Sequence, residues 1–251
     1  MLQRVAVLAD IHGNLPALEA VLAEPDVRDA DRVVLAGDHA AGPLPGPTLE
    51  RLRALGDRAV WIGGNADREL VEHRRDGRAS GYEVSDWAAA ELTDDHVSWL
   101  ARLPLTAELE VAEAGRTVFC HATVRDDEEI VLVDSRAARW AEVMAGLGPD
   151  VETVVCGHTH MPYVRLAFGR LVVNPGSVGM PYGRPGAHWA LLGAGGVRLR
   201  RTVYDREAAA ARIAGESGFA GAARWAEEYV LGTYSAEEVV AAWGPRDGRP
   251  E

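Results

Sequence analysis

Seven side chains able to donate to a metal ion sit where short apolar runs end. They are Asp10 and His12 in LADIH, Asp38 in AGDH, Asn65 in GGN, His121 in FCH, and His158 and His160 in CGHTH. The i, i+2 spacing within Asp10/His12 and His158/His160 suits extended chain, where alternate side chains share a face. Gly37, Gly64 and Gly157 each directly precede a member of the set, and a residue without Cβ lets backbone approach a ligand closely. The set holds two Asp, one Asn and four His, and no thiolate. Hard oxygen and borderline nitrogen donors suit Mn, Fe, Zn, Co or Ni better than a structural zinc cage. Seven donors exceed one tetrahedral ion and suit two ions sharing a bridging carboxylate. A single Asp before a helix is ordinarily a cap, and an isolated His an ordinary core or surface group. The joint placement at strand ends carries the reading, and His73, His96 and His188 fall outside it.

Those donors need a rigid frame. Short β-branched runs alternate with helical patterns, the mark of a layered α/β fold. Strands are expected over 4–9, 32–37, 59–64, 116–122, 153–158, 170–177, 188–194 and 197–205. LPALEAVLAE has apolar residues at helical spacing with Asn14 placed as its cap, and PTLERLRALG has Pro47 early and Gly56 at its end. From Arg68 to Leu103 the pattern is helical and polar, anchored by Trp87, Trp99 and Leu100, and a further helical piece runs from Ser135 to Leu147. After Tyr204 helices lead to a frayed Pro/Gly-rich end. The organisation expected is one domain over 1–205, with helical insertions at about 68–103 and 124–150, and a C-terminal helical extension over 206–251 packed on it. Trp225, Tyr229 and Trp243 on that extension are expected to pack back onto the core rather than form a dimer contact.

Composition narrows the function classes. Of 251 residues, 47% are apolar, enough for a full core. A formal net charge of −12 argues against an extended nucleic-acid surface, which needs clustered Lys and Arg. It leaves room for a small phosphorylated substrate, because local cations can dominate one cleft. Cys120 and Cys156 each sit in an apolar run, so they read as small buried strand residues in a reduced, cytoplasmic protein. A strand-like run starts almost at the first residue, and no apolar run approaches the roughly 18 residues of a membrane span. Nothing in the sequence decides between monomer and homodimer.

The stretches LADIHGN, AGDHAAGP, GGNADRE, FCHA and VCGHTHMP, followed by NPGSVGMP, resemble the motifs of calcineurin-like metallophosphoesterases, and more narrowly the compact bacterial phosphodiesterase branch. The resemblance spans about residues 3 to 195 and does not cover the C-terminal helices. It implies a four-layer αββα sandwich with a dinuclear metal centre of divalent ions, Mn first, with Fe, Zn, Ni or Co as alternatives. Asp10, His12 and His160 would bind one ion, Asn65, His121 and His158 the other, and Asp38 would bridge them. Asn65 would then supply a neutral oxygen where an anionic phosphate must dock.

The activity implied is hydrolysis of a small-molecule or nucleotide phosphoester, a diester first. Two metals roughly 3.5–4 Å apart would share a hydroxide that attacks phosphorus in line, the pKa of its parent water lowered from about 15.7. Many family members carry a histidine directly after the Asn, against the phosphate and beside the leaving group, and here that position is Ala66. His39, next to Asp38, is a candidate proton donor, against the plainer role of packing beside the metals. Arg68 is a candidate for a phosphate oxygen, against a salt bridge to Glu69 or Glu72. The DDEE run at 126–129 reads as a solvated turn, and 124–150 is a candidate lid. AGDHAAGPLPG lacks the arginine-glycine pair of the Ser/Thr protein phosphatases, which disfavours that branch. A phosphomonoesterase, and a non-catalytic scaffold of the retromer-subunit type, remain as alternatives; the scaffold relatives lose ligands, and all seven positions are present here.

Overall fold

The structure is a computed structural model that describes residues 1–248; residues 249–251, the tip of the expected C-terminal extension and of its frayed end, lie outside the described residues. The first run forms β1 (Arg4–Leu8), followed by α1 (Leu15–Leu22), α2 (Pro25–Arg28), β2 (Arg32–Ala36), α3 (Pro45–Arg53) and β3 (Ala59–Ile62). Asn14 caps α1 as its sequence position suggests, accepting from the Ala17 N–H at 3.2 Å. The polar helical stretch becomes α4 (Asn65–Asp76), α5 (Glu83–Glu91) and α6 (Asp94–Leu100). Then come β4 (Thr106–Val111), β5 (Gly115–Cys120), α7 (Ala137–Val143), β6 (Val151–Cys156), β7 (Tyr163–Ala167), β8 (Arg170–Asn174), β9 (Ala187–Gly193) and β10 (Gly196–Thr202). The chain continues through α8 (Arg206–Glu216), α9 (Ala222–Ala226) and α10 (Ala236–Trp243).

Among the described residues ten strands build two mixed sheets, ordered β10-β9-β1-β2-β3 and β4-β5-β6-β8-β7. β1, β2 and β3 run parallel in the first, and β5, β6 and β8 in the second; β4, β7, β9 and β10 pair antiparallel. The alternation of side chains along each strand sorts the core into layers. Val5, Val7, Val34 and Ala36 face the other sheet, meeting Phe119, Val155 and Val173. Their neighbours Ala6, Leu8, Val33 and Leu35 face outward against Leu18 and Val21 of α1 and Ile213 of α8. On the far side Val118, Cys120, Val154 and Cys156 pack on Trp140 and Val143 of α7. The result is the α/β sandwich of helix, sheet, sheet and helix. Buried on both faces, the central strands read as unbroken apolar runs rather than alternating ones.

Two strands were not foreseen. β4 (TAELEV) and β7 (YVRLA) lie at the edges of the second sheet; Glu108 and Glu110 are exposed on β4 and the half-buried Arg165 interrupts β7, so neither has the unbroken apolar run of a central strand. Between 124 and 150 the helix is confined to Ala137–Val143, and 124–136 contains none. That irregular stretch is held by side chains: Arg125 pairs with Glu129 and Glu142, and Arg139 with Glu129. Trp225 on α9 is buried with α1 and α8, Tyr229 packs against the same cluster, and Trp243 packs beside Ile130, Leu132 and Met161.

Candidate metal centre

The parallel strands β1, β2, β3, β5 and β6 deliver their C-terminal ends to one edge of the sandwich, where loops can hold side chains on a rigid frame. All seven sequence-derived donors meet there. Asp10, His12 and His160 form one group, and Asp38, His121 and His158 another, each with its donor atoms within 4.8 Å of one another. Asn65 joins the second group, its Oδ1 3.2 Å from His121 Nε2. Asp38 Oδ2 lies 3.3 Å from His121 Nε2 and 3.6 Å from His12 Nε2, so one carboxylate oxygen addresses both groups.

The ring orientations fit a cation. Nδ1 of His12, His121 and His160 lies 3.2, 2.8 and 2.8 Å from the carbonyls of Ala41, Ala36 and Met180. A carbonyl only accepts, so each Nδ1 carries a proton and each Nε2 faces the cluster, where it would give its lone pair to a cation in place of a proton. The Nε2 atoms of His12 and His160 consequently face one another at 3.2 Å. His158 is turned the other way: its Nε2 donates to the Glu128 carbonyl at 3.2 Å, which leaves Nδ1 as its lone pair. Lone pairs converging on carboxylates are what a divalent ion resolves, and the donors suit borderline ions.

The titration behaviour follows from the same crowding. Burial works to lower the His121 pKa, but Asp38 and Asp10 push it up to about 10. Burial likewise opposes ionisation of Asp38, yet His121 and His12 hold its carboxyl well below the usual range. His158 is driven down to about 3 by burial and by His121, and burial lowers His12.

Backbone strain is concentrated at the same place. Among the described residues, seven non-glycine positions have left-handed φ, and five of them are Asp10, His12, Asp38, His158 and His160. Side chains with a Cβ avoid that region, and tertiary structure holds them there. Much of the holding comes from Asp67, whose carboxylate accepts from the N–H groups of Asp38, His39 and Gly64 at 2.9, 2.9 and 3.0 Å. Asp10 accepts from the His158 N–H at 3.1 Å, and Ser177 of the NPGS motif donates to the Asp10 carbonyl at 2.7 Å. Asn174 of that motif donates to the Gly157 carbonyl at 2.7 Å and to Thr159 Oγ1 at 3.1 Å. Glu69 accepts from Asn65 Nδ2 at 3.1 Å and so turns Oδ1 inward. Sequence gives no role to Asp67 and offers Glu69 only as a partner for Arg68, which pairs with Glu72 instead; Asp67 has a signal, as an acid three residues after the helix-capping Gly64. Gly64 also has a steric reason, since a Cβ there would stand 2.2 Å from Asp38 Oδ1.

The two candidates beyond the donors lie elsewhere. His39 is fully buried, its Nε2 3.0 Å from the Ile62 carbonyl and its ring edge-on to Trp61. It does not line the cavity above the donors. Arg68 is engaged by carboxylates: it donates to Asp127 through Nε at 2.9 Å and Nη2 at 3.0 Å, and pairs with Glu128 at 3.3 Å and Glu72 at 3.5 Å. The DDEE run is thereby latched to α4 rather than left free in solvent. His73, His96 and His188 bond to Arg78, Glu50 and Arg184, away from the donors.

Above the donors is a cavity of about 440 Å³. His12, Asp38, Asn65, His158 and His160 form its floor, with Ala66 and Glu69 beside them. Its walls are aromatic: Tyr82, Tyr182, Trp225, Tyr229, Tyr234 and Trp243. Among the described residues, none of the candidate lid 124–150 lines it.

Comparison with known proteins agrees with this geometry. The profile of the calcineurin-like phosphoesterase superfamily domain matches residues 3–194. Phosphodiesterase YfcE of Escherichia coli strain K12 is 23% identical over 202 residues, covering 76% of this chain and 88% of that protein. The crystal structure of a metallophosphoesterase from Sphaerobacter thermophilus superposes with a TM-score of 0.69 at 24% identity, covering 92% of this chain and all of that one. The hypothetical protein PH1004 from Pyrococcus horikoshii superposes at 0.74 with 21% identity, covering 92% and 99%. The chain belongs to the calcineurin-like phosphoesterase superfamily and is a phosphoric ester hydrolase by class.

Proposed function

We propose that this member of the calcineurin-like phosphoesterases is a phosphodiesterase that hydrolyses a small organic or nucleotide phosphoester with two divalent cations, manganese first among them. The observation that carries the reading is Asp38 Oδ2, placed 3.3 and 3.6 Å from one histidine of each donor group. Two cations held by the seven donors would lower the pKa of a bound water and neutralise charge on the phosphoryl oxygens. The protein's part is to fix the donors before substrate arrives, through Asp67, the NPGS motif and the backbone carbonyls on each Nδ1. Asn65, oriented by Glu69, adds an oxygen donor without adding negative charge where an anion docks.

We assign His39 a positioning role, because its ring bonds to the Ile62 carbonyl and lies outside the cavity. With Ala66 following Asn65, the family's usual imidazole is missing, so leaving groups that need no proton are favoured. The cavity is of small-molecule size, within the roughly 300–1,000 Å³ of such sites, and its aromatic walls suit a flat or apolar group on the ester. The relationship to a protein named as a phosphodiesterase supports the diester. Two buried free cysteines support a reducing, cytoplasmic setting.

The test is hydrolysis of bis(p-nitrophenyl) phosphate and p-nitrophenyl phosphate with Mn²⁺ added. A higher kcat/KM on the diester is the expected result. A preference for the monoester would make the chain a phosphomonoesterase, and metal-loaded protein inert on both would contradict the enzymatic reading.

A further inference from the structure

The segment after β10 lies beyond the residues that match the family profile, which end at 194. It nevertheless closes the site. Ser235 and Glu238 form a capping box that starts α10, and the helix brings Val239, Ala242 and Trp243 onto the cavity. Trp243 packs edge-on to the ring of His158, centroids 5.2 Å apart, and is anchored beside Ile130, Leu132 and Met161. Just past the helix, Arg246 places its Cζ 5.3 Å from the centroid of the Trp243 ring and lines the same cavity.

Arg246 differs from every other lining residue. Among the described residues it is the one Arg or Lys in the lining, whose acids are Asp38, Glu69 and Glu238. Among the described residues no carboxylate pairs with its guanidinium and no hydrogen bond engages it; its contact is the face of Trp243. Arg68, by contrast, is taken up by three carboxylates. Arg246 is exposed at the edge of a cavity floored by metal donors, and a permanently charged fork of donors held on an aromatic face there can take an oxyanion. Among the described residues the rest of the lining, Tyr and Trp rings among polar and small apolar side chains, offers such an anion no other Arg or Lys.

We infer that Arg246 binds the phosphoryl oxygens of the substrate, so that the C-terminal extension supplies the side-chain contact to phosphate that Ala66 cannot. The inference rests on the phosphoesterase reading and adds a residue to it. Trp243 positions Arg246 by stacking and ties it, through His158, to the donor cluster.

The experiment uses the full chain loaded with Mn²⁺ and compares wild type with Arg246→Gln and Arg246→Lys. Three quantities are read: bound metal per chain, KM for bis(p-nitrophenyl) phosphate, and the dissociation constant of inorganic phosphate by calorimetry. For Arg246→Gln, KM and the phosphate dissociation constant should rise together by about ten- to hundredfold, the scale of a charged bidentate contact. Metal content should not change, and Arg246→Lys should fall between. An Arg246→Gln protein with wild-type KM and phosphate affinity would overturn the inference and leave the guanidinium a structural partner of Trp243. A metal-loaded wild type that turns over no phosphoester would remove the enzymatic reading instead. Phosphate titration would then still decide the role of Arg246: loss of binding in Arg246→Gln supports it, and no binding by wild type refutes it.

Discussion

The Ala66 N–H donates to Asp38 Oδ1 over 2.8 Å. The residue whose side chain departs from the family pattern therefore serves the site through its backbone. That bond occupies one oxygen of Asp38 and leaves Oδ2 to address His12 and His121. A bridge held from one side is a rigid bridge, and its rigidity depends on how closely β3 and α4 approach the loop after β2.

Gly64 sets that approach. Gly64→Ala would bring a methyl carbon to 2.2 Å from Asp38 Oδ1 and 2.7 Å from the Asp38 nitrogen. Forced overpacking of this kind costs about 1–3 kcal/mol. The variant should bind less metal at a fixed free concentration and lose most of its hydrolytic rate. Elemental analysis after gel filtration checks it; wild-type metal content would show that the loop yields without disturbing Asp38.

Asp67 is predicted to matter without touching substrate. Asp67→Ala leaves three buried N–H groups without their acceptor, and one unsatisfied buried group already costs about 1–3 kcal/mol. Metal affinity should fall by about ten- to hundredfold, as for other residues that orient ligands. Asp67→Asn, which keeps an acceptor oxygen, should lose less on both counts. Urea unfolding and metal titration of the two variants make the comparison.

His39 offers a test by leaving group. Its ring is enclosed and bonded to the Ile62 carbonyl, so His39→Ala should slow nitrophenyl and alkyl phosphodiesters by similar factors while lowering stability. Selective slowing of the alkyl ester would return His39 to the role of proton donor.

Acid should weaken the irregular stretch before α7. Arg125, with help from Thr123 and Arg139, depresses Glu129 from near 4.5 to about 2. A lowered folded-state pKa stabilises above the unfolded value, and the contribution disappears as pH falls from about 4.5 through 2. Because the pair is partly exposed, the effect is about 1 kcal/mol once screening is allowed for. Glu129→Gln should therefore be less stable than wild type by that amount at pH 7, with the gap narrowing below pH 4.5. A gap that stays constant to pH 3 would contradict the assignment.

The seven donors and the central strands were legible because strands buried on both faces read as apolar runs, and a polar residue ending such a run stands out. β4 and β7 were not, because Glu108 and Glu110 break up β4 and Arg165 interrupts the short β7, so neither reads as an apolar run. The left-handed backbone at five donors left little mark, since Asp and His adopt positive φ more readily than most side chains but far less distinctively than glycine. Arg246 was out of reach for another reason. Which face of a C-terminal helix meets a cleft built by residues far earlier in the chain is decided by tertiary packing, here by Trp243 lodging against Met161 and His158.

The central claim is that one carboxylate serves two ions. Mn²⁺ titration of metal-free wild type and of Asp38→Asn, followed on the same samples by hydrolysis of bis(p-nitrophenyl) phosphate, tests it directly. The account predicts two ions per wild-type chain, with turnover appearing as the second binds, and an Asp38→Asn protein that folds but holds fewer ions and loses about a hundredfold or more in rate, the bridging ligand of a two-metal site being removed. One ion per active wild-type chain, or full activity in Asp38→Asn, would contradict it.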